Sequence, residues 1–360
     1  MDNILIISGT DKISGAEFVL KDYIEKSHYK NNIHILCSGI NEVKEFYKGF
    51  SKNVFEYKGL NPVNATKSKF GVKNKFKKVL NIYSTNRYLK KFLDYRTIIG
   101  NNTRDIVYSN FINNKTNKFY LFIHDMILDG TINQKLIKIF DKNVYKYIAV
   151  SNAVKDSLVN SGVKKEKIIL QYNGLEYIEY NERKLNKQLT IGFIGALIER
   201  KSPKSMVKFI EKSKFKGKMV FNYYDEKILN GIKEEIFDKK INIELIGKLE
   251  RSLIPDFIKS VDYIFVPSKE DPLPTVVLES LNESVPVIGR CIDGIPEMIS
   301  DRKNGFLFNN DSQLEELIKI LGQLDEEKYC ELCKNSNETI KDKFNIKRKV
   351  ENLDRLFFKL

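Results

Sequence analysis

The sequence predicts an α/β protein made of two doubly wound parallel sheets with a cleft between them. Three observations carry this. Short β-branched runs alternate with longer amphipathic stretches, which is the pattern of βαβ units. The alternation stops at a polar, aperiodic stretch, IEYNERKLNKQL (178–189), and then restarts. The chain has 360 residues, and at about 100–200 residues per domain that length favours two domains.

The elements follow in order. NILIIS (3–8) reads as the first strand and precedes a helical pattern over 15–27. NIHILCS (32–38) is the next strand, followed by the helical EVKEFYKGF. TIIG (97–100), DIVYS (105–109), KFYLFIH (118–124) and YKYIAVS (145–151) read as further strands. After the polar stretch come TIGFIG (190–195), a helix from about 203, KMVFNYY (218–224), NIELIG (242–247), DYIFVPS (262–268), a helix from about 274, and VPVIGR (285–290). Ser202 is expected to cap the helix that Pro203 opens. The last twenty residues read as an amphipathic helix. The expected division is 1–180, 181–340 and a closing helix, 341–360. In such sheets ligands bind beyond the carboxyl ends of the strands.

Composition narrows the function classes. Hydrophobic residues make up 42% and aromatics 11%, enough for ordinary cores, which excludes wholesale disorder. Four cysteines exclude a disulfide scaffold. Cys330 and Cys333 form a lone CxxC without a second pair, so they are expected to pack on a helix rather than bind metal. Apolar runs such as ILII (4–7) are strand-length, far from the roughly 18 residues of a membrane helix. The N-terminus has no basic n-region, so the expected compartment is the cytoplasm.

The unusual number is the net charge of +14, which points to an anionic partner. The segment 64–96 holds ten Lys/Arg and one acid, giving nine of those fourteen charges. Two readings of it stay open. One is a helix pair with a solvated basic face. The other is a patch, including Lys73, Lys75, Lys77 and Lys78, for an anionic membrane surface or a polyanionic acceptor. No nucleic-acid recognition module is visible.

The richest stretch is VPSKEDPLPTVVLESLNESVPVIGR (266–290). A strand ends near Pro267, a loop carries Glu270 and Asp271, and a helix begins near Pro274, whose fixed φ suits the first helical position. The amides of Thr275, Val276 and Val277 are expected to point out of that helix start without intrahelical partners, which makes a phosphate site. Glu279 lies four residues after Thr275, on the same face one turn deeper. A carboxylate there can accept from a diol such as ribose. Asp271, on the other side of the phosphate position, can take the hydroxyls of a second sugar.

This segment resembles the acidic-x7-Glu motif of retaining glycosyltransferases of family 4, which have the GT-B fold of two Rossmann-like domains. Further segments are similar in order: ISGAEFVLKDYIEKS (13–27), YIAVSNAVKDSLVNSGVKKEKIILQYNGLE (147–176), IGFIGALIERKSPKSMVKF (191–209) and IELIGKLERSLIPDFIKSVDYIFVPS (243–268). The resemblance covers essentially the whole chain. It implies sugar transfer from a nucleotide-sugar donor, UDP- or GDP-linked, with retention of configuration. No metal or other cofactor is implied, and no Asp-x-Asp motif occurs.

Residue by residue, the resemblance puts Gly15 under the donor diphosphate and His124 near the reacting sugar. It puts Gly195 in the phosphate loop and pairs Lys201 with the phosphates. Asp271 takes the donor sugar and Glu279 the ribose, while Pro274, Thr275 and Val276 form the helix start. Asn173 lies at a strand end facing the cleft, and Ile246 to Lys248 hold the base through backbone. The closing helix is implied to return to the N-terminal, acceptor-binding domain. The acceptor is a saccharide or a lipid-linked sugar, met at the inner face of a membrane during polysaccharide or glycolipid assembly.

Three departures stand out. Ala196 occupies the place of the family's phosphate-loop arginine, with Arg200 or Lys204 as the candidates to replace it. Pro274 stands where the family commonly has glycine. The first acid is Asp271 rather than glutamate, with Glu270 beside it as an alternative one position out of register. Two rival functions therefore stay open: a non-catalytic subunit that scaffolds a partner transferase, and a sugar-nucleotide epimerase or hydrolase.

Overall fold

The computed structural model describes residues 2–60, 84–85, 87–110 and 116–358. Lys73, Lys75, Lys77 and Lys78 lie outside the described residues. The chain divides into two compact units: Met1–Asn173 with Ile346–Leu360, and Gly174–Asn345.

The first unit holds a seven-stranded sheet in the order β3-β2-β1-β4-β5-β6-β7. Its strands are β1 (Ile4–Ser8), β2 (Ile33–Ser38), β3 (Val54–Tyr57), β4 (Thr97–Gly100), β5 (Lys118–Ile123), β6 (Lys146–Ala149) and β7 (Ile168–Leu170). Every adjacent pair is parallel. The order reverses between β1 and β4, so the carboxyl ends of those two strands form a topological switch point. Helices α1 (Gly15–Lys26), α2 (Asn41–Lys48), α3 (Ile132–Phe140) and α4 (Asn152–Asn160) connect strands of this unit.

The second unit repeats the design with six strands in the order β10-β9-β8-β11-β12-β13. These are β8 (Thr190–Ile194), β9 (Lys216–Val220), β10 (Ile243–Gly247), β11 (Tyr263–Val266), β12 (Val287–Arg290) and β13 (Gly305–Phe308), again all parallel. Its switch point lies between β8 and β11. The helices here are α5 (Pro203–Ser213), α6 (Glu226–Asp238), α7 (Ile254–Lys259), α8 (Thr275–Asn282), α9 (Asp311–Gly322) and α10 (Glu326–Lys343).

The final helix, α11 (Ile346–Phe358), completes the core of the first unit. Ile346, Val350, Leu353 and Phe357 join Ile4, Ile6, Tyr23, Ile24 and Ile35 in one buried cluster. Asp354 is buried and accepts from Tyr23 Oη (3.0 Å), Ser27 Oγ (2.7 Å) and the His28 amide (3.2 Å). That arrangement satisfies a carboxylate that water no longer reaches.

The boundary at Asn173/Gly174 has a physical cause. The Leu175 amide donates to Phe344 O, the Ile178 amide to Asn282 Oδ1, and Asn282 Nδ2 to Glu176 O. The polar stretch 178–189 is likewise docked rather than a free tether. Arg183 donates to the carbonyls of Lys259 and Val261, and buried Asp262 accepts from the amides of Asn186 and Thr190.

Three local expectations are corrected. DIVYS is not a strand but part of a 3-10 segment, Thr103–Asn110. Asp105 turns inward there and accepts from the amides of Gly9 (3.1 Å) and Asn102 (3.0 Å), which outweighs the β preference of Ile106 and Val107. Pro274 is the N-cap of α8, not its first residue, and the Val277 amide already donates to Pro274 O. Ser202 stands at the N-cap of α5, but at φ +50° its side chain makes no cap hydrogen bond and meets Ser205 Oγ instead. Among the strands not anticipated, β3 is a half-exposed edge and shows no inward alternation.

Candidate functional site

The second unit gathers its candidate residues on two loops at the β8/β11 switch point. The β8 loop runs from Gly195 through a 3-10 turn, Glu199–Lys201, to the start of α5. The β11 loop runs from Pro267 to Pro274. They are laced together. The Lys269 amide donates to Arg200 O (2.8 Å), Arg200 Nη1 donates to Glu270 O (3.2 Å), and Lys269 pairs with Glu199. Arg290, at the end of β12, adds a bond to Pro267 O.

At the centre, Lys201 Nζ lies 2.5 Å from Asp271 Oδ2, with side chains 22% and 7% exposed. Ser268 Oγ donates to the same oxygen at 3.1 Å. Asp271's own backbone is fixed on both sides: its amide donates to Asp293 Oδ2, and its carbonyl accepts from Gly294. Asp271 is thus a buried carboxylate held in one orientation, and Lys201 is the cation that compensates it. The alternative, Glu270, lies outside this pair.

Helix α8 starts beside Asp271. Thr275 and Val276, its first two residues, are too early for intrahelical bonds from their amides, so two of the three amides expected there remain as anion donors. Glu279 follows on the same helix, with its side chain 19% exposed and its Oε1 3.2 Å from Arg251 Nη2. Arg251 was not anticipated; the contact joins the loop after β10 to α8 and has no local sequence signal. Near it, β10 carries a bulge between Leu245 and Gly247. Gly247 sits at φ +78°, a conformation that suits glycine, Ile246 is half-buried and Lys248 exposed.

Arg200 and Lys204 are the cations nearest in sequence to the place of the arginine absent at Ala196. One nitrogen of Arg200 is engaged in bracing the two loops. Lys204 lies on the exposed face of α5, lining a groove of about 290 Å³ with Glu199, Ser202, Lys208, Lys269 and Arg290. A Cβ added at Gly195 would meet the Phe193 ring at ordinary contact distance, so packing does not demand glycine there.

In the first unit the candidates surround the β1/β4 switch point. A Cβ at Gly15 would meet nothing within 4 Å, so the fold itself does not demand glycine there. Buried Glu17 accepts from the Ser14 amide (2.9 Å), Ser14 Oγ (2.6 Å) and the side-chain amides of Asn101 and Asn102. Ser14-x-x-Glu17 is a capping box, a signal legible in the sequence. Asp105 braces the same loop through Gly9, and burial pushes its carboxyl up to about 8 against the amides that favour its anion. Asn173 is buried at the end of this unit's chain.

His124 follows β5. Its ring stacks on Phe122 and hydrogen-bonds to the Asn101 backbone. Nε2 is shielded from solvent and has no partner among the described residues. Burial, then the ammonium of Lys349, holds the ring neutral, down to about 3. Lys349 is itself buried on α11, with Nζ 3.3 Å from Val19 O. With Nδ1–H donated to the Asn101 carbonyl, Nε2 is a fixed acceptor.

An NMR titration of the three histidines checks this. The His124 ring signals are expected to stay flat from pH 8 to about 4, because the folded pKa is depressed to about 3. By linkage, stability is lost as pH falls below the unfolded value of about 6.5 towards the folded one. A His124 midpoint near 6.5 would overturn the assignment.

Residues 178–343 match the family model described as glycosyl transferases group 1. The matched stretch coincides with most of the second unit, where Lys201, Asp271 and Glu279 lie. An uncharacterized glycosyltransferase of Methanocaldococcus jannaschii is 27% identical over 240 residues, 65% of this chain and 66% of the relative. An uncharacterized 42.6 kDa protein in the cps region of Klebsiella pneumoniae is 29% identical over 164 residues, 45% of this chain and 42% of that one. The aligned stretches thus span less than two thirds of these curated relatives. Among solved structures, Anabaena HepE in complex with UDP superposes with a TM-score of 0.81 at 15% identity, over 99% of this chain and 100% of that one. Two parallel Rossmann-like sheets of seven and six strands are the GT-B fold of such structures.

Proposed function

We propose that the protein is a glycosyltransferase that moves a sugar from a nucleotide-sugar donor to a saccharide or lipid-linked acceptor. We further propose retention of configuration, no metal requirement, and a place in cell-surface polysaccharide or glycolipid assembly. The observation that carries the reading is the Lys201–Asp271 pair at the β8/β11 switch point, beside the start of α8 and one helical turn from Glu279. Phosphate, sugar and ribose would each find a group of the right kind there. A neighbouring fold, HepE, is described bound to UDP and to UDP-glucose, which supports a nucleotide-sugar donor.

In this reading the donor diphosphate sits at the Thr275 and Val276 amides. Lys201 takes up the charge that develops as the anomeric carbon–oxygen bond breaks. Asp271 orients the sugar through its hydroxyls. The acceptor oxygen bonds to the anomeric carbon from the face the diphosphate leaves, and its proton passes to a phosphate oxygen.

A thermal-shift panel of UDP-, GDP-, ADP- and dTDP-sugars tests this. One donor is expected to raise Tm, since binding to the folded state alone stabilises it. If none protects the protein, the reading fails. Ala196 favours one rival, the non-catalytic subunit: donor protection without turnover in the presence of acceptors would support it. Conversion of donor to a free epimer without acceptor would support the epimerase.

A further inference from the structure

Helix α3 packs the wrong way round for a core helix. Its buried side chains are Gln134 and Ile137, while Ile132 and Ile139 stand 48% and 61% exposed. Ile132, Lys135, Leu136 and Ile139 recur at helical spacing and share one face. Leu128 before the helix and Tyr145 after it are exposed as well, at 45% and 42%.

The inversion is built in. Gln134 Nε2 donates to Asp129 Oδ1 (2.6 Å), and its Oε1 accepts from the Gly130 amide (3.1 Å). The Gln134 amide is capped by Thr131 Oγ1. These bonds fix the helix entry and commit Gln134 to the inside, beside Ile137, which turns Ile132 and Ile139 outward.

The charges around this face point to its occupant. Lys135, Lys138 and Lys142 are exposed along it. Lys118 Nζ lies 4.4 Å from the centre of the Tyr145 ring. Three exposed lysines outnumber the two acids of the stretch: Asp129, exposed, accepts from Gln134, and Asp141 is paired with Lys167 (3.0 Å) and accepts from Tyr147 Oη (3.0 Å). The outward field is therefore cationic. Lysines interleaved with single aliphatic side chains do not suit the core of a protein–protein interface, where lysine is depleted. They do suit a helix lying in a lipid headgroup layer, with apolar residues dipping in and ammonium groups on anionic headgroups.

We infer that the α3 face from Leu128 to Tyr145 docks the protein onto an anionic lipid surface. The inference does not rest on the glycosyl-transfer reading: donor protection and vesicle binding succeed or fail separately. It is also distinct from the basic segment 64–96, because the variants below leave that segment untouched.

The experiment is co-sedimentation of the full chain with vesicles of phosphatidylcholine, alone or with phosphatidylglycerol, at rising salt. Binding to the anionic vesicles only, weakening with salt, is expected. Ile132→Ser with Ile139→Ser, both at exposed positions, is expected to cut that binding at least about tenfold without lowering Tm. Lys135→Glu with Lys138→Glu is expected to do the same. The chain has no tryptophan, so Ile139→Trp reports insertion by a blue shift of its indole emission. Equal binding to both vesicle types, no binding, variants that bind like the wild type, or an unshifted emission spectrum from Ile139→Trp would each overturn the inference. So would a concentration-dependent dimer that the Ile→Ser pair abolishes in the absence of vesicle binding, since a second copy would then be the occupant.

Discussion

Replacing Lys201 with methionine is expected to lower kcat/KM for glycosyl transfer by about 10²–10³-fold, the usual effect of deleting one group that stabilises developing charge. In the proposed reaction the departing nucleoside diphosphate carries its negative charge into a site where Ala196 supplies no cation and one nitrogen of Arg200 is engaged in bracing the loops. Lys201 is then the cation proposed for the leaving group. The same substitution should also lower stability, because it leaves the 7%-exposed Asp271 carboxylate with Ser268 as its remaining side-chain donor. Breaking a buried pair by removing one partner costs about 3–5 kcal/mol; with Lys201 22% exposed, solvent screening should make the loss smaller. The double variant Lys201→Met/Asp271→Asn separates the two effects. It removes both charges, so its Tm should recover most of the loss, whereas activity should stay at or below that of the single variant. Thermal melts beside steady-state kinetics check both. If Lys201→Met keeps activity within a few-fold of wild type, the lysine is structural and the leaving-group role is wrong.

How much of this was legible follows from the kind of signal each residue sends. β1, buried at every position, and Pro203 at the first turn of α5 are set by local chemistry, and they read directly from the chain. Lys201 and Asp271 were legible as a resemblance, seventy positions apart, but their ion pair depends on β8 and β11 being neighbours, which only the sheet order establishes. The 3-10 segment at Thr103–Asn110 was misread because the decisive contacts, Asp105 to the amides of Gly9 and Asn102, include one that spans 96 positions. The β preference of IVY is a weaker, local term. The outward isoleucines of α3 were missed for the converse reason. Periodicity shows that a helix has an apolar face but not which way that face turns, and here buried Gln134 decides it.

Glu279→Gln is expected to act on binding rather than chemistry. Glu279 lies one turn into α8, away from the Lys201–Asp271 pair, and its Oε1 is held by Arg251 at 3.2 Å. That contact fixes the carboxylate rotamer, and a carboxylate has about four lone-pair sites, enough to accept from a ribose diol as well. A hydrogen bond to a charged group contributes about 1.5–3 kcal/mol, so its loss should raise the donor KM by about 10–100-fold. The ribose is the same in ground state and transition state, so kcat should change little, the signature of uniform binding. A 2′-deoxyribose donor closes the argument. It should weaken binding to the wild type about as much as Glu279→Gln weakens binding of the natural donor. It should cost the variant almost nothing further, because the two changes remove the same contact. Additive losses would place the ribose elsewhere. A fall in kcat at unchanged KM would instead assign Glu279 to the reacting sugar, and the order of groups along α8 proposed above would then be reversed.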